Sequence, residues 1–253
     1  TFQMHPAVSQ TSPPPELNQL LQKVAAALRK SNYRGRVTYE HSGRLEVVDI
    51  EHRVVDGVEH ELIRFLNGPE QELVKAGRQV DCSTKGGLLF SGGSLEYNGG
   101  LASLSKSYRV HYLGSERVAG RDSWVVQMIS QDDHRHSFVL AVDQASYLPT
   151  KTLYVTRSGK PLERLHFVSL EAMNEPPASA QAEVSTEPLD AAPCSPLNDS
   201  VEGSGWKPSW VPSGFVQSGH GFSASDGYID TYTDGLAAFS IIATTVSEGS
   251  EAL

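Results

Sequence analysis

The sequence predicts a mainly β protein, α+β in class: a curled antiparallel meander with one covering helix, then a small C-terminal β-rich unit. Three observations point there. Apolar residues recur at a spacing of two from about residue 32 to 170, turn dipeptides punctuate that stretch, and a single amphipathic helical pattern precedes it.

The helix comes first. Residues 15–30, PELNQLLQKVAAALRK, carry Leu17, Leu20, Leu21, Val24 and Leu28 at helical spacing. Pro15 suits a first turn, Glu16 lies near the positive end of the helix dipole, and Arg29 and Lys30 lie near the negative end. The period then changes to two. Val37, Tyr39 and His41 share a face, as do Leu62, Arg64 and Leu66, which alternate with Ile63 and Phe65. Tyr108, Val110 and Tyr112 follow, then Trp124, Val126 and Met128, then Phe138, Leu140 and Val142. Leu153 with Val155 and Leu165 with Phe167 complete the series. Between them stand Ser42-Gly43, Asp56-Gly57, Asn67-Gly68, Ala119-Gly120 and Ser158-Gly159, which are hairpin signals. This spacing predicts nine to eleven strands. So long a meander must twist and curl, and one helix is too little to cover all of it, so either the sheet closes on itself or an apolar cleft stays partly open between sheet and helix.

Residues 83–107 interrupt the pattern with glycines around Leu88, Leu89, Phe90 and Tyr97, which reads either as an excursion or as a gate beside the cleft. Residues 171–205, rich in Pro, Ala, Ser and Glu and without an aromatic residue, read as a linker. Aromatic content returns at 206–253, predicting a small second domain, marginal in size and expected to be incomplete or docked on the first. The organisation is thus 1–14 trimmed or disordered, 15–170 ligand domain, 171–205 linker and 206–253 small domain.

Composition removes several classes of function. The formal charge is −9 over 253 residues, but residues 1–170 are near neutral and all but one of the basic residues lie there, while residues 171–253 hold Lys207 alone against twelve acidic residues. There is no basic patch for a nucleic acid. No apolar run reaches the ~18 residues of a transmembrane helix, and residues 1–14 lack the apolar core of a signal peptide. Cys82 and Cys194 are either unrelated thiols or a disulfide closing a loop of more than a hundred residues, which would require an oxidising compartment.

Two clusters invite chemistry. In Glu51-His52-Arg53 a strand would place His52 opposite its neighbours, with no nucleophile or orienting partner implied, so it reads as a polar rung. In Asp132-Asp133-His134-Arg135-His136 the two histidines could share a strand face and grip a metal, with His111 or His166 as a chance third ligand, or could simply cap a hairpin end. No nucleophile elbow, phosphate loop or dinucleotide fingerprint occurs. The reading is therefore a binding protein with no cofactor and no metal, not an enzyme.

Blocks along the chain then take on a family likeness. SNYRGRVTYEHSG with IEHRVVDG, LIRFLNGPEQELVKAG, VHYLGSERVAGRDSWVVQM, HRHSFVLAVDQASYLPTKTLYV, GKPLERLHFVSLE, SWVPSGF and YTDGLAAFSI occur in order. Over about 33–170 and 206–243 the chain resembles the RseB/MucB family of periplasmic regulators of the envelope-stress sigma factor. The resemblance implies a half-barrel similar to the lipoprotein carriers LolA and LolB, and a smaller β-rich second domain. It implies a partner, the periplasmic part of an RseA- or MucA-type anti-sigma factor, shielded from the site-1 protease, and a lipid or lipopolysaccharide ligand in the half-barrel. A lipid or lipoprotein carrier is the competing reading, and a homo-oligomer is compatible with both. The family's second domain continues beyond the YTDGLAAFSI block, and residues 83–107 match poorly.

The family supplies no catalytic residues. The lipid-cleft candidates are Val37, Tyr39, Phe65, Tyr112, Trp124, Val126, Phe138, Leu140, Leu153 and Phe167; each could equally be core. Arg53, Arg64 and Arg78 are candidates for an anionic head group. Trp210, Phe215, Tyr232 and Phe239 are candidates for the partner surface or the second core. Burying ten acyl CH₂ groups would give roughly 8 kcal/mol before ordering costs, which suits a reversible sensor. Trp210→Ala is expected to weaken binding of an anti-sigma peptide while leaving lipid uptake intact, as parallel titrations of the two ligands would show.

Overall fold

The structure is a computed structural model, and it describes residues 15–68, 72–76, 104, 106–173, 206–223 and 227–244. The helix α1 spans Leu17–Lys30. Strands β1 (Asn32–His41), β2 (Arg44–Val55), β3 (Val58–Phe65) and β4 (Glu72–Ala76) precede the glycine-rich stretch. Strands β5 (Tyr108–Val118), β6 (Arg121–Ser130), β7 (Ser137–Asp143), β8 (Pro149–Val155) and β9 (Pro161–Met173) follow it. A second sheet holds β10 (Val216–Ser223), β11 (Gly227–Thr233) and β12 (Ala238–Ala243).

Nine strands form one antiparallel sheet in the order β4-β3-β2-β1-β9-β8-β7-β6-β5. The spacing of two predicts this strand number, but not its joint. The sheet is two meanders, β1–β4 and β5–β9, sewn together where the first strand pairs with the last, from Asn32 opposite Met173 to His41 opposite Glu163. Local patterning marks strands and leaves such a distant pairing unspecified. The predicted turns do form. Ser42-Gly43, Asp56-Gly57 and Ala119-Gly120 each put two consecutive residues at positive φ, the geometry whose twist suits a two-residue hairpin.

Inner and outer faces follow from register. On β1, Tyr33, Val37, Tyr39 and His41 are buried, while Arg34, Arg36 and Glu40 are exposed. The opposed residues of β2 repeat this, with Val48, Ile50 and His52 buried. Helix α1 lies against the inner face. Its Leu20, Leu21, Val24 and Leu28 join Tyr108, Trp124, Val126, Met128, Phe138, Leu140 and Val142 in one core cluster. Ala27 joins Tyr33, Val37, Tyr39, Ile50, Leu165 and Phe167 in the next. The helix lacks a side-chain N-cap bond, so its stability comes chiefly from that packed stripe.

The sheet curls hard at one end. Lys151 on β8 donates to Glu116 on β5 at 2.9 Å, although two strands separate them in the sheet order. Flat strands would hold them roughly 14 Å apart, so the β5–β6 hairpin must bend over the outer face. A register shift between Tyr112 and Gly114 (φ +118°) allows the bend, and Val118, Val125 and Ala141 form a small separate cluster beneath it.

The β1–β9 joint has its own requirement. The ladder shifts register between Arg36 and Val37, and Gly35 sits beside the shift. A Cβ on Gly35 would collide with the Ser169 carbonyl oxygen and stand 2.8 Å from the Phe167 ring. Backbone cannot yield as a flexible side chain can. Gly35→Ala is therefore expected to cost about 2–3 kcal/mol, read as a lowered denaturant midpoint; an unchanged midpoint would show that the joint tolerates a side chain.

Candidate functional site

The inner face gathers most of the apolar residues that sequence reading assigns to a cleft. Val37, Tyr39, Trp124, Val126, Phe138, Leu140 and Phe167 are buried there beneath or beside α1. Phe65 is half-buried on the rim, and Tyr112 on the edge strand is 43% exposed. Leu153 does not join them. Its register places it opposite Val139 and Arg164 on the outer face, while Thr152 and Tyr154 turn inward against Leu140 and Phe138. Leu153 and Val155 do share a face of β8, but it is the outer one, since Tyr154 pairs with the inward Phe138.

Between Leu28, Tyr33, Leu148, Thr152, Leu165 and Phe167 lies a cavity of about 10 Å³, roughly the space of one water. Polar groups close the inner face near the β1–β2 hairpin: the Tyr39 hydroxyl donates to Glu163 at 3.0 Å, and His41 Nε2 lies 3.2 Å from Glu46. Burial, with Glu163 adding to it, pushes the Tyr39 phenol above its ordinary range.

The head-group candidates lie elsewhere. Arg53 pairs with Glu51 at 3.0 Å, and register puts both on the outer face. Arg64 lines an outer groove of about 450 Å³ with Arg34, Arg36, Asp49, Glu51 and Glu171. That groove is balanced rather than basic, since Arg36 grips Asp49 with two hydrogen bonds and Arg34 donates to Glu171 at 2.8 Å. The Arg36 guanidinium hydrogen bonds hold the Asp49 carboxyl below the usual carboxylate range, against an opposing effect of burial. Arg78, Cys82, Cys194 and the glycine-rich candidate gate fall outside the described residues.

The two chemistry-bearing clusters part company in three dimensions. His52 is 2% exposed, stacks on Tyr33 and places Nδ1 2.8 Å from the Ser31 carbonyl. It is a rung that ties the end of α1 to β2. His134 and His136 lie in the β6–β7 turn, not on a strand, and both are exposed. Among the described residues no group of three His, Cys, Asp or Glu side chains is placed to hold a metal ion.

The residue between them is what matters. Arg135 has a fully buried side chain and joins the two sheets. Its Nη1 donates to Asp234 Oδ2 at 2.6 Å and its Nη2 to the Ser213 carbonyl at 2.5 Å. Its Nε donates to Asp132 at 3.1 Å. The guanidinium lies over the Phe215 ring at 4.9 Å and the Tyr108 ring at 5.7 Å. Tyr108, buried on the first sheet, donates its hydroxyl to the same Asp234 oxygen at 3.1 Å. Burial and the neighbouring Asp234 charge push that phenol far upward, against a smaller opposing effect of Arg135. Burial also acts upward on Asp132, but the His134 N–H and the Arg135 guanidinium hold its carboxyl below the usual range.

On the second sheet the aromatic candidates divide. Phe215 and Tyr232 are buried and meet Phe239 at 5.1 and 5.3 Å, so these three build the small core. Trp210 is 64% exposed and sets its ring against the edge of His134 at 5.1 Å, on the seam between the sheets.

Sequence reading missed the clamp because Asp234 reads as half of a turn and Arg135 as a polar residue between two histidines. The one available signal was an arginine just ahead of an apolar strand, which has no specificity. Asp234→Asn keeps the acceptor that caps the Leu236 and Ala237 N–H groups (2.9 and 2.7 Å) but removes the buried counter-charge of Arg135, leaving it only the partly exposed Asp132 carboxylate. Breaking a buried pair in this way is expected to cost about 3–5 kcal/mol, seen as lower stability and faster proteolysis of the second sheet. A loss under about 0.5 kcal/mol would remove the clamp from the account.

With the geometry in place, comparison with known proteins gives a consistent answer. The family model for the MucB/RseB N-terminal domain matches residues 16–189. The Sigma factor AlgU regulatory protein MucB of Pseudomonas aeruginosa is 30% identical over 231 residues, covering 87% of this chain and 72% of that protein. The solved Pseudomonas aeruginosa MucA/MucB complex matches with a TM-score of 0.67 at 28% identity, over 89% of this chain and 78% of that one. A structure of MucB in complex with periplasmic MucA matches with a TM-score of 0.67 at 29% identity, over 90% and 79% of the two chains. The family model spans the nine-stranded sheet, and the chain belongs to the MucB/RseB family.

Proposed function

We propose that the protein is a periplasmic regulatory binding protein. It binds the periplasmic part of a MucA- or RseA-type anti-sigma factor, shields that segment from site-1 proteolysis and so restrains the envelope-stress sigma factor. A lipid or lipopolysaccharide acyl chain, received by the inner face, opposes that binding. The observation that carries the reading is the match to MucB held with periplasmic MucA, which extends over 90% of this chain. The exposed Trp210 on a rigid seam adds to it, since exposed tryptophan on a preorganised surface is a common binding anchor. A pure carrier is less well supported, because a carrier needs only the large sheet and its helix, whereas this chain holds a second sheet joined to it through Arg135 and Asp234.

The test is calorimetric titration of the full chain with the periplasmic domain of Pseudomonas aeruginosa MucA, alone and then with a lipid A-type ligand. A dissociation constant in the micromolar range or tighter, weakened at least tenfold by the lipid, is the expected result. Lipid binding without MucA binding would favour the carrier. A MucA affinity indifferent to saturating lipid would remove lipid as the opposing signal.

A further inference from the structure

We propose that Leu236 is a displaceable plug: the second sheet holds it in the apolar core beneath α1, where an entering acyl chain would lie, so ligand entry withdraws the β11–β12 turn and releases Arg135. This rests on the lipid-sensing part of the function proposed above and says where the lipid acts.

Leu236 is half-buried and packs against the cluster formed by α1 and strands β5–β7. Among the described residues it is the second unit's sole member of that cluster. The turn that carries it is tightly set. Asp234 Oδ1 accepts from the Leu236 and Ala237 N–H groups, Thr233 Oγ1 donates to the Ala237 carbonyl, and Gly235 (φ +98°) donates to Thr233 Oγ1. From the first sheet, Tyr154 donates its hydroxyl to the Leu236 carbonyl at 3.4 Å.

Leu236 sits in a packed cluster of α1 and inner-face side chains, so a lipid chain entering that cluster displaces something already there. Lifting α1 would expose Leu20, Leu21, Val24 and Leu28, all buried. Withdrawing the turn exposes one half-buried side chain, and the cost of exposure grows with apolar area; it also parts the Asp234–Arg135 pair, which sets the threshold the ligand must overcome. Leu236 is the apolar contact through which the ligand acts on that pair. Its movement is also transmitted, because one carboxylate serves both structures. Asp234 Oδ1 caps the turn, while Oδ2 receives Arg135 and Tyr108. A turn that moves carries that oxygen off Arg135 and loosens the seam between the sheets. Linkage then requires the converse, that a ligand stabilising the closed seam weakens acyl binding.

The experiment titrates dodecanoate into the full chain by calorimetry, using the unmodified protein, Leu236→Ala and Leu236→Phe, with small-angle scattering at each end point. Shrinking the plug should tighten dodecanoate binding roughly tenfold and enlarging it should weaken binding. In the unmodified protein, saturation should increase the radius of gyration. Opposite signs from the two variants cannot arise from simple destabilisation. Equal affinities for all three proteins, or saturation with no change in scattering, would overturn the plug while leaving lipid binding intact. Absence of dodecanoate binding in both the unmodified protein and Leu236→Ala would overturn the lipid reading and the plug with it, without bearing on MucA binding.

Discussion

The arrangement of the two sheets depends on one buried ion pair. Two charges withdrawn from water are tolerable only when each is well paired and its remaining hydrogen-bonding capacity is met. Arg135 meets that condition with a carboxylate, a carbonyl, a second aspartate and two aromatic faces, and Asp234 with an arginine, a tyrosine hydroxyl and two backbone N–H groups. Such a pair adds less to net stability than to specificity, because almost every misplacement strands a charge. The second sheet, too small to bury much of a core, gains a defined position from it. Gly214 contributes at the same seam: at φ +87° it faces Ser107, which a Cβ there would approach to 3.0 Å.

The first unit solves a different problem. A long antiparallel sheet has to cover one apolar face, and one helix of 14 residues is available. Curling reduces the area to be covered, and α1 fills the concavity with a stripe of leucine and valine. At the β5–β6 end the curl goes further and folds a hairpin over the outer face. That leaves the opposite outer face, between β1, β2, β3 and β9, open to solvent and dressed in paired charges.

Much of this was legible in the sequence, and the reasons are physical. The helix and the strands announce themselves through period, and the two-residue turns through Ser-Gly, Asp-Gly and Ala-Gly pairs that tolerate positive φ. Family blocks such as HRHSFVLAVD even contained Arg135. What stayed hidden was everything set by pairings far apart in the chain. Alternation shows that Leu153 and Val155 share a face but not which face of the sheet that is, and pairing with β7 makes it the outer one. Likewise charge alone says nothing of the face on which Arg53 and Arg64 lie, which register makes the outer one. The Arg135–Asp234 contact, 99 residues apart, has no local signature at all.

The β1–β9 joint bears on how the chain reaches this state. Asn32 needs Met173 as its neighbour, and His41 needs Glu163. The first meander can form its hairpins early, but its innermost strand keeps an unpaired edge until the last strand of the second meander exists. Closing so long a loop is entropically slow. The nine-stranded sheet therefore matures as a single late event. Until then, the inner face that will take α1 and later Leu236 is open, and the nascent chain's main hazard is pairing of that bare β1 edge with another molecule.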